Sequence, residues 1–125
     1  MFFVLACIAG GSGVVLGAFA AHGLKNHLDA NLLNVFEVGV RYQMMHALAL
    51  LAVSVSSAPR WIEGSGWFAA AGWSWIMGML VFSGSLYLLA LTGIRWLGAI
   101  TPVGGVALIL GWVLLGVAAI RCRDE

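Results

Sequence analysis

Four long apolar runs, separated by short polar interruptions, account for almost the whole chain. The first covers about residues 2–21 without a charged side chain. A helix of roughly 20 apolar residues matches the ~30 Å hydrocarbon core of a bilayer. Gly10, Gly13, Gly17 and Ala21 recur within it at helical spacing, so they share one face where another helix can approach closely. Gly23 is placed to cap this helix. The pattern then changes over about residues 26–41. Leu28, Leu32, Val35 and Phe36 fall on one side of a helical wheel, and Asn31, Asn34, Glu37 and Arg41 on the other. That predicts an amphipathic helix leading into the second apolar run, since no Pro or turn cluster separates them. Asp29 fits the apolar side badly.

The second run, about 42–58, is short for a crossing and is closed by Pro59. Residues 60–67 read as a tight loop, with Trp61 and Trp67 at headgroup level. The third run is about 67–92, with Gly78, Ser85 and Thr92 repeating every seven residues. The fourth is about 102–120. Thr101 and Pro102 suit its N-cap and first helical positions, and Gly104, Ala107, Gly111 and Ala118 form its small-residue seam. The expected fold is therefore all-α: one domain, residues 1–125, built as an integral membrane four-helix bundle.

Composition supports lipid as the solvent. Hydrophobic residues make up 62% of the chain and charged residues 9%, against roughly 25% charged in an ordinary soluble domain. Six Lys/Arg against five Asp/Glu give a net charge of +1, without the basic cluster that nucleic-acid binding requires. Cys7 and Cys122 form no metal-ligand pattern and read as two separate thiols. The apolar run from Phe2 is too long, and lacks the basic start, for a cleavable signal. With four crossings both termini share one side. Arg60, Arg121 and Arg123 there, against Lys25 and Arg95 opposite and with Arg41 assigned to neither side, lean towards cytoplasmic termini.

Polar groups at membrane depth are costly, so they are candidates for function. Glu37 and Arg41 stand four apart, the spacing of an intrahelical ion pair. Gly39, Tyr42, Gln43 and His46 project from roughly the opposite face, and Ser83 and Tyr87 share a face of the third run. His46 could move protons or ligate haem, with His22 as the facing ligand. Its structural alternative is a hydrogen bond to Tyr87, Ser83 or a backbone carbonyl that glues helices together. Zinc or copper would need more ligands than lie within reach, so no metal and no cofactor is expected. Ser83 forms no nucleophile triad, and Pro102–Gly105 lacks the Lys of a phosphate loop. The candidate interior cluster is His22, Tyr42, Gln43, His46, Ser83 and Tyr87. The candidate packing positions are Gly10, Gly13, Gly17, Gly78, Ser85, Gly104 and Gly111.

Several of these stretches, in order, resemble one family. They are residues 17–24 (Gly-Ala-Phe-Ala-Ala-His-Gly-Leu), 46–50 (His-Ala-Leu-Ala-Leu), 82–87 (Phe-Ser-Gly-Ser-Leu-Tyr), 101–105 (Thr-Pro-Val-Gly-Gly) and Gly111-Trp112. Together they resemble the YgdD-like family of small membrane proteins, domain of unknown function 423, which has a vertebrate relative called transmembrane protein 256. Ala20 stands where the family pattern has Gly, which keeps the position small. The resemblance implies a bacterial inner membrane protein of four helices, with no assigned activity and no catalytic residue to carry over. Three functional readings follow. The leading one is a non-enzymatic accessory or self-associating subunit, with lipid and either its own copies or a larger membrane complex as partners. The second is an oligomeric proton or small-solute transporter using His46. The third is a haem protein or membrane-embedded enzyme.

Overall fold

The computed structural model describes residues 1–55 and 66–121. Pro59, residues 60–65 of the expected loop, with Arg60 and Trp61, and Cys122 and Arg123 lie outside the described residues. Among those described, four helices are long and apolar enough to cross a membrane: Phe2–Leu24, Ala30–Val55, Gly66–Thr92 and Arg95–Arg121.

Helix α1 (Phe2–Phe19) continues without a break into a π-helical turn, Ala20–Leu24. Ala6, Gly13, Ala20 and Leu24 are buried, whereas Ala21, expected on the seam, is exposed. Gly23 is not a left-handed cap, because Gly93 is the one described residue with positive φ. Its lack of a side chain instead makes room for the Phe19 ring, which a Cβ would meet at 2.7 Å.

Helix α2 (Ala30–Val55) joins the amphipathic stretch and the second apolar run in one element. Asp29, awkward on a helical wheel, sits just before it as its N-cap. Its carboxylate accepts the Leu32 N–H at 2.9 Å, satisfying one of the donors a helix start leaves free. Helix α3 (Gly66–Thr92) ends at Gly93, whose φ of +71° suits a residue without Cβ. The Gly93 N–H returns to the Leu89 carbonyl at 2.8 Å and closes the helix. A short 3₁₀ turn, Arg95–Ala99, leads into helix α4 (Thr101–Arg121). The Thr101 hydroxyl bonds Ser85 Oγ across the helix boundary at 2.6 Å, and Thr92 is exposed, its hydroxyl turned back onto Leu88.

Consecutive helices pack side by side. α2 and α3 form the central pair, α1 lies along α2, and α4 lies along α3. Phe2 meets Phe68 edge-on at 6.1 Å and the Arg121 guanidinium lies 5.2 Å over Trp67, so the start of α1 and the end of α4 share one end of the bundle. Two apolar clusters fill the interior. One, towards the termini, contains Ala47, Leu50, Trp75, Met79 and Leu108; the other contains Ala20, Leu24, Phe36 and Ala90. The polar residues of α2 and α3 lie between them. Large apolar side chains such as Val15, Leu80, Val103 and Ile120 cover the outside, where lipid makes their exposure favourable.

Candidate functional site

One side chain ties three helices together. Gln43 on α2 is 8% exposed. Its Nε2 donates to the Ala9 carbonyl at 2.8 Å and to Ser12 Oγ at 2.9 Å, both on α1. Its Oε1 accepts the Tyr87 hydroxyl of α3 at 2.7 Å. The amide orientation follows from the partners, since a carbonyl can only accept. One turn earlier, Gly39 leaves its carbonyl open to Ser83 Oγ, which donates to it at 2.7 Å. A Cβ at Gly39 would meet Tyr87 Cε1 at 2.7 Å. Glycine there allows both the ring contact and the backbone bond.

His46, one turn further along α2, is 3% exposed. Its Nδ1 lies 2.8 Å from the Tyr42 carbonyl, and its Nε2 lies 3.1 Å from the Trp112 indole nitrogen on α4. An indole N–H only donates and a carbonyl only accepts. The imidazole is therefore neutral, with its proton on Nδ1, and neither nitrogen has a lone pair left for a metal or haem iron. The structural partner expected for His46 was Tyr87, Ser83 or a backbone carbonyl. The structure supplies the carbonyl and adds Trp112, while Tyr87 and Ser83 bond elsewhere. Trp112 packs edge-on against Trp75 at 4.8 Å, and Trp75 is 1% exposed with an indole N–H that has no partner among the described residues.

The expected six-residue group is only partly brought together. Gln43, His46, Ser83 and Tyr87 gather between α2 and α3. Tyr42 lies on the flank, 38% exposed and 4.8 Å from the Phe82 ring. His22 is exposed on the π-turn, so it does not face His46 as a second ligand. Glu37 and Arg41 are both exposed and form no ion pair with each other. No group of three His, Cys, Asp or Glu among the described residues is placed to hold a metal. Cys7 is a free, exposed thiol.

The residue patterns pointed to neither Ser12 nor Trp112 as site members. Ser12 is one small residue on a small-residue helix, and Trp112 looks like any lipid-facing aromatic. Trp112 carried one signal, its place in the Gly111-Trp112 motif. Two grooves flank the polar layer. One of about 300 Å³ between α1 and α3 has Gln43 and Ser12 among otherwise apolar walls. The other, about 400 Å³ between α2 and α4, is bordered by Tyr42, His46, Phe82 and Trp112.

Comparison with known proteins agrees with this architecture. Residues 16–105 match the family described as "Protein of unknown function (DUF423)". The chain is 45% identical to a UPF0382 membrane protein of Staphylococcus saprophyticus, over 97% of this chain and 98% of that one. It is 44% identical to UPF0382 membrane protein YwdK of Bacillus subtilis, over 97% of both. It is 40% identical to UPF0382 inner membrane protein YgdD of Escherichia coli, over 98% of this chain and 91% of the relative. No solved structure matches. A multi-pass, all-helical membrane protein with these relatives and this match belongs to the DUF423 family.

Proposed function

We propose that the protein is a non-catalytic subunit of the inner membrane, acting through contacts with other membrane protein chains, its own copies included. One observation carries this reading: Gln43, His46, Ser83 and Tyr87 all have their hydrogen-bonding groups engaged inside the bundle. Gln43 uses its donor and acceptor ends on α1 and α3, Ser83 bonds Gly39, and both His46 nitrogens are taken. A solute path needs polar groups that can exchange partners, and a catalytic base needs a free lone pair. This layer instead bonds α2 to each of the other three helices. The inner-membrane placement follows the name of the Escherichia coli relative. Cytoplasmic termini follow from Arg60, Arg121 and Arg123, and a C-terminal reporter active only on the periplasmic side would refute that part.

Native mass spectrometry of protein extracted gently from its own membrane, at normal abundance, tests the proposal. Complexes with itself or with other chains are the expected result. A bare monomer overturns the reading. So does proton or ion flux through vesicles reconstituted with the purified protein, if His46→Ala abolishes it.

A further inference from the structure

Helix α2 has two faces with helix-packing spacing, and the bundle uses one of them. Phe36, Gly39, Gln43, His46 and Leu50 are buried against α1 and α3. On the outer side Asn34, Arg41, Leu48 and Val55 recur every seven residues, with Met45 and Ala52 between them, and all six are exposed. From Arg41 onward the steps alternate between four and three, the spacing of a seam that faces another helix. Glu37 is exposed one turn before Arg41.

Depth makes this face unusual. Gln43, two residues from Arg41, bonds Ser12, near the middle of the charge-free run of α1. Arg41 therefore leaves its helix well inside the apolar slab, where an unpaired charge is costly. No described residue pairs with Arg41 or with Glu37.

We propose that this outer face of α2 is a homodimer interface, in which Arg41 of each protomer pairs with the partner's Glu37. The occupant is a second copy because the surface complements itself. Acid and base lie on one face of one helix, as a two-fold interface requires. Two copies inserted the same way hold their α2 helices parallel. Glu37 and the partner's Arg41 are then offset by about one turn, ~6 Å along the axis, within reach of an arginine side chain. Below the charges, Met45, Leu48, Ala52 and Val55 continue the contact with apolar side chains. The inference rests on the subunit reading and adds the partner and the surface.

A charge-complementation experiment tests it. Glu37→Arg gives a face with two positive charges, and Arg41→Glu a face with two negative charges. Both positions are exposed in the protomer, so the bundle stays folded, as helicity in detergent will show. Donor- and acceptor-labelled protein is mixed in phosphatidylethanolamine–phosphatidylglycerol vesicles and association is read by energy transfer. Wild type should associate, each variant alone should associate at least tenfold more weakly, and an equal mixture of the two variants should recover most of the signal. An intrahelical pair cannot give that recovery. Variants that associate as well as wild type alone, or a mixture that stays apart, overturn the interface. Native mass spectrometry of the membrane extract separates the two readings: a wild type found there only in complexes with other proteins overturns the homodimer and leaves the subunit reading standing. A wild type found only as a monomer overturns both.

Discussion

The α3–α4 contact and the α1–α2 contact both run along small residues, yet they are held by different means. Between α3 and α4 the missing side chains are filled. A Cβ at Gly104 would strike the Phe82 backbone, one at Gly111 the Trp75 ring, and one at Gly78 would lie 2.6 Å from Leu108 Cδ2. Close backbone approach is the source of cohesion there, reinforced by Ser74 Oγ donating to the Ala107 carbonyl at 2.6 Å. Between α1 and α2 the fit is looser. A Cβ at Gly10 would reach Ala47 Cβ at 4.0 Å, one at Gly17 would meet Val40 Cγ1 at 3.3 Å, and one at Gly13 would press on the Met44 thioether, which can move. That contact relies on Gln43. In a membrane the apolar effect drives neither pair together, so packing and hydrogen bonding divide the work differently in each.

Substitutions can break this contrast. The largest effect is expected at Gly104→Ala, where the new methyl meets backbone that cannot step aside. A loss of about 3 kcal/mol is in line with severe overpacking, read as a lower unfolding midpoint in detergent. Gly104→Ala with wild-type stability would mean that α3 and α4 are not in backbone contact. Gly111→Ala meets an aromatic ring that can tilt slightly, and about 2 kcal/mol is expected from the same measurement.

Gln43→Leu tests the other contact. It removes three hydrogen bonds and leaves the Tyr87 hydroxyl without an acceptor, at about 1–2 kcal/mol given the modest measured value of such bonds in membranes. The loss should appear first as faster proteolysis or hydrogen exchange in α1, with α3 and α4 still protected. Uniform loosening of all four helices would show that the two contacts are not separable. Trp112→Phe keeps the ring against Trp75 and removes one bond to His46, for about 0.6 kcal/mol. Gly10→Ala should be neutral within about 0.5 kcal/mol, since the methyl meets Ala47 Cβ at an ordinary contact distance of 4.0 Å. A Gly10→Ala variant as damaged as Gly104→Ala would erase the distinction between the contacts.

The polar layer was legible in part. The cost of polar groups in lipid picks out Gln43, His46, Ser83 and Tyr87 from the sequence, because Gln and His are the costliest uncharged side chains inside the apolar runs and Ser83 and Tyr87 share one helix face. Their partners were not legible. A helical wheel gives the angle of a side chain about its own axis, but neither the neighbour at that angle nor the height at which the two meet. Hence of the partners expected for His46 only the backbone carbonyl is found, with Trp112 unforeseen, and His22 does not reach the cluster it is expected in. An Asp just before a long helix is a capping signal, which accounts for Asp29 better than its poor fit to the apolar side of a helical wheel.

Four apolar helices, their approximate lengths and the lipid around them were determined by the sequence alone. A run of some 20 residues without charge has no other stable setting, and in lipid the backbone must bond within the helix. Only the tertiary structure decided which glycines lie against backbone, that the buried face of α1 runs through Ala20 and leaves Ala21 exposed, and that Gln43 and His46 bond outward to α1 and α4. Each of these depends on how one helix is rotated and slid against the next. That choice is made by the joint fit of two surfaces, and neither surface alone contains it.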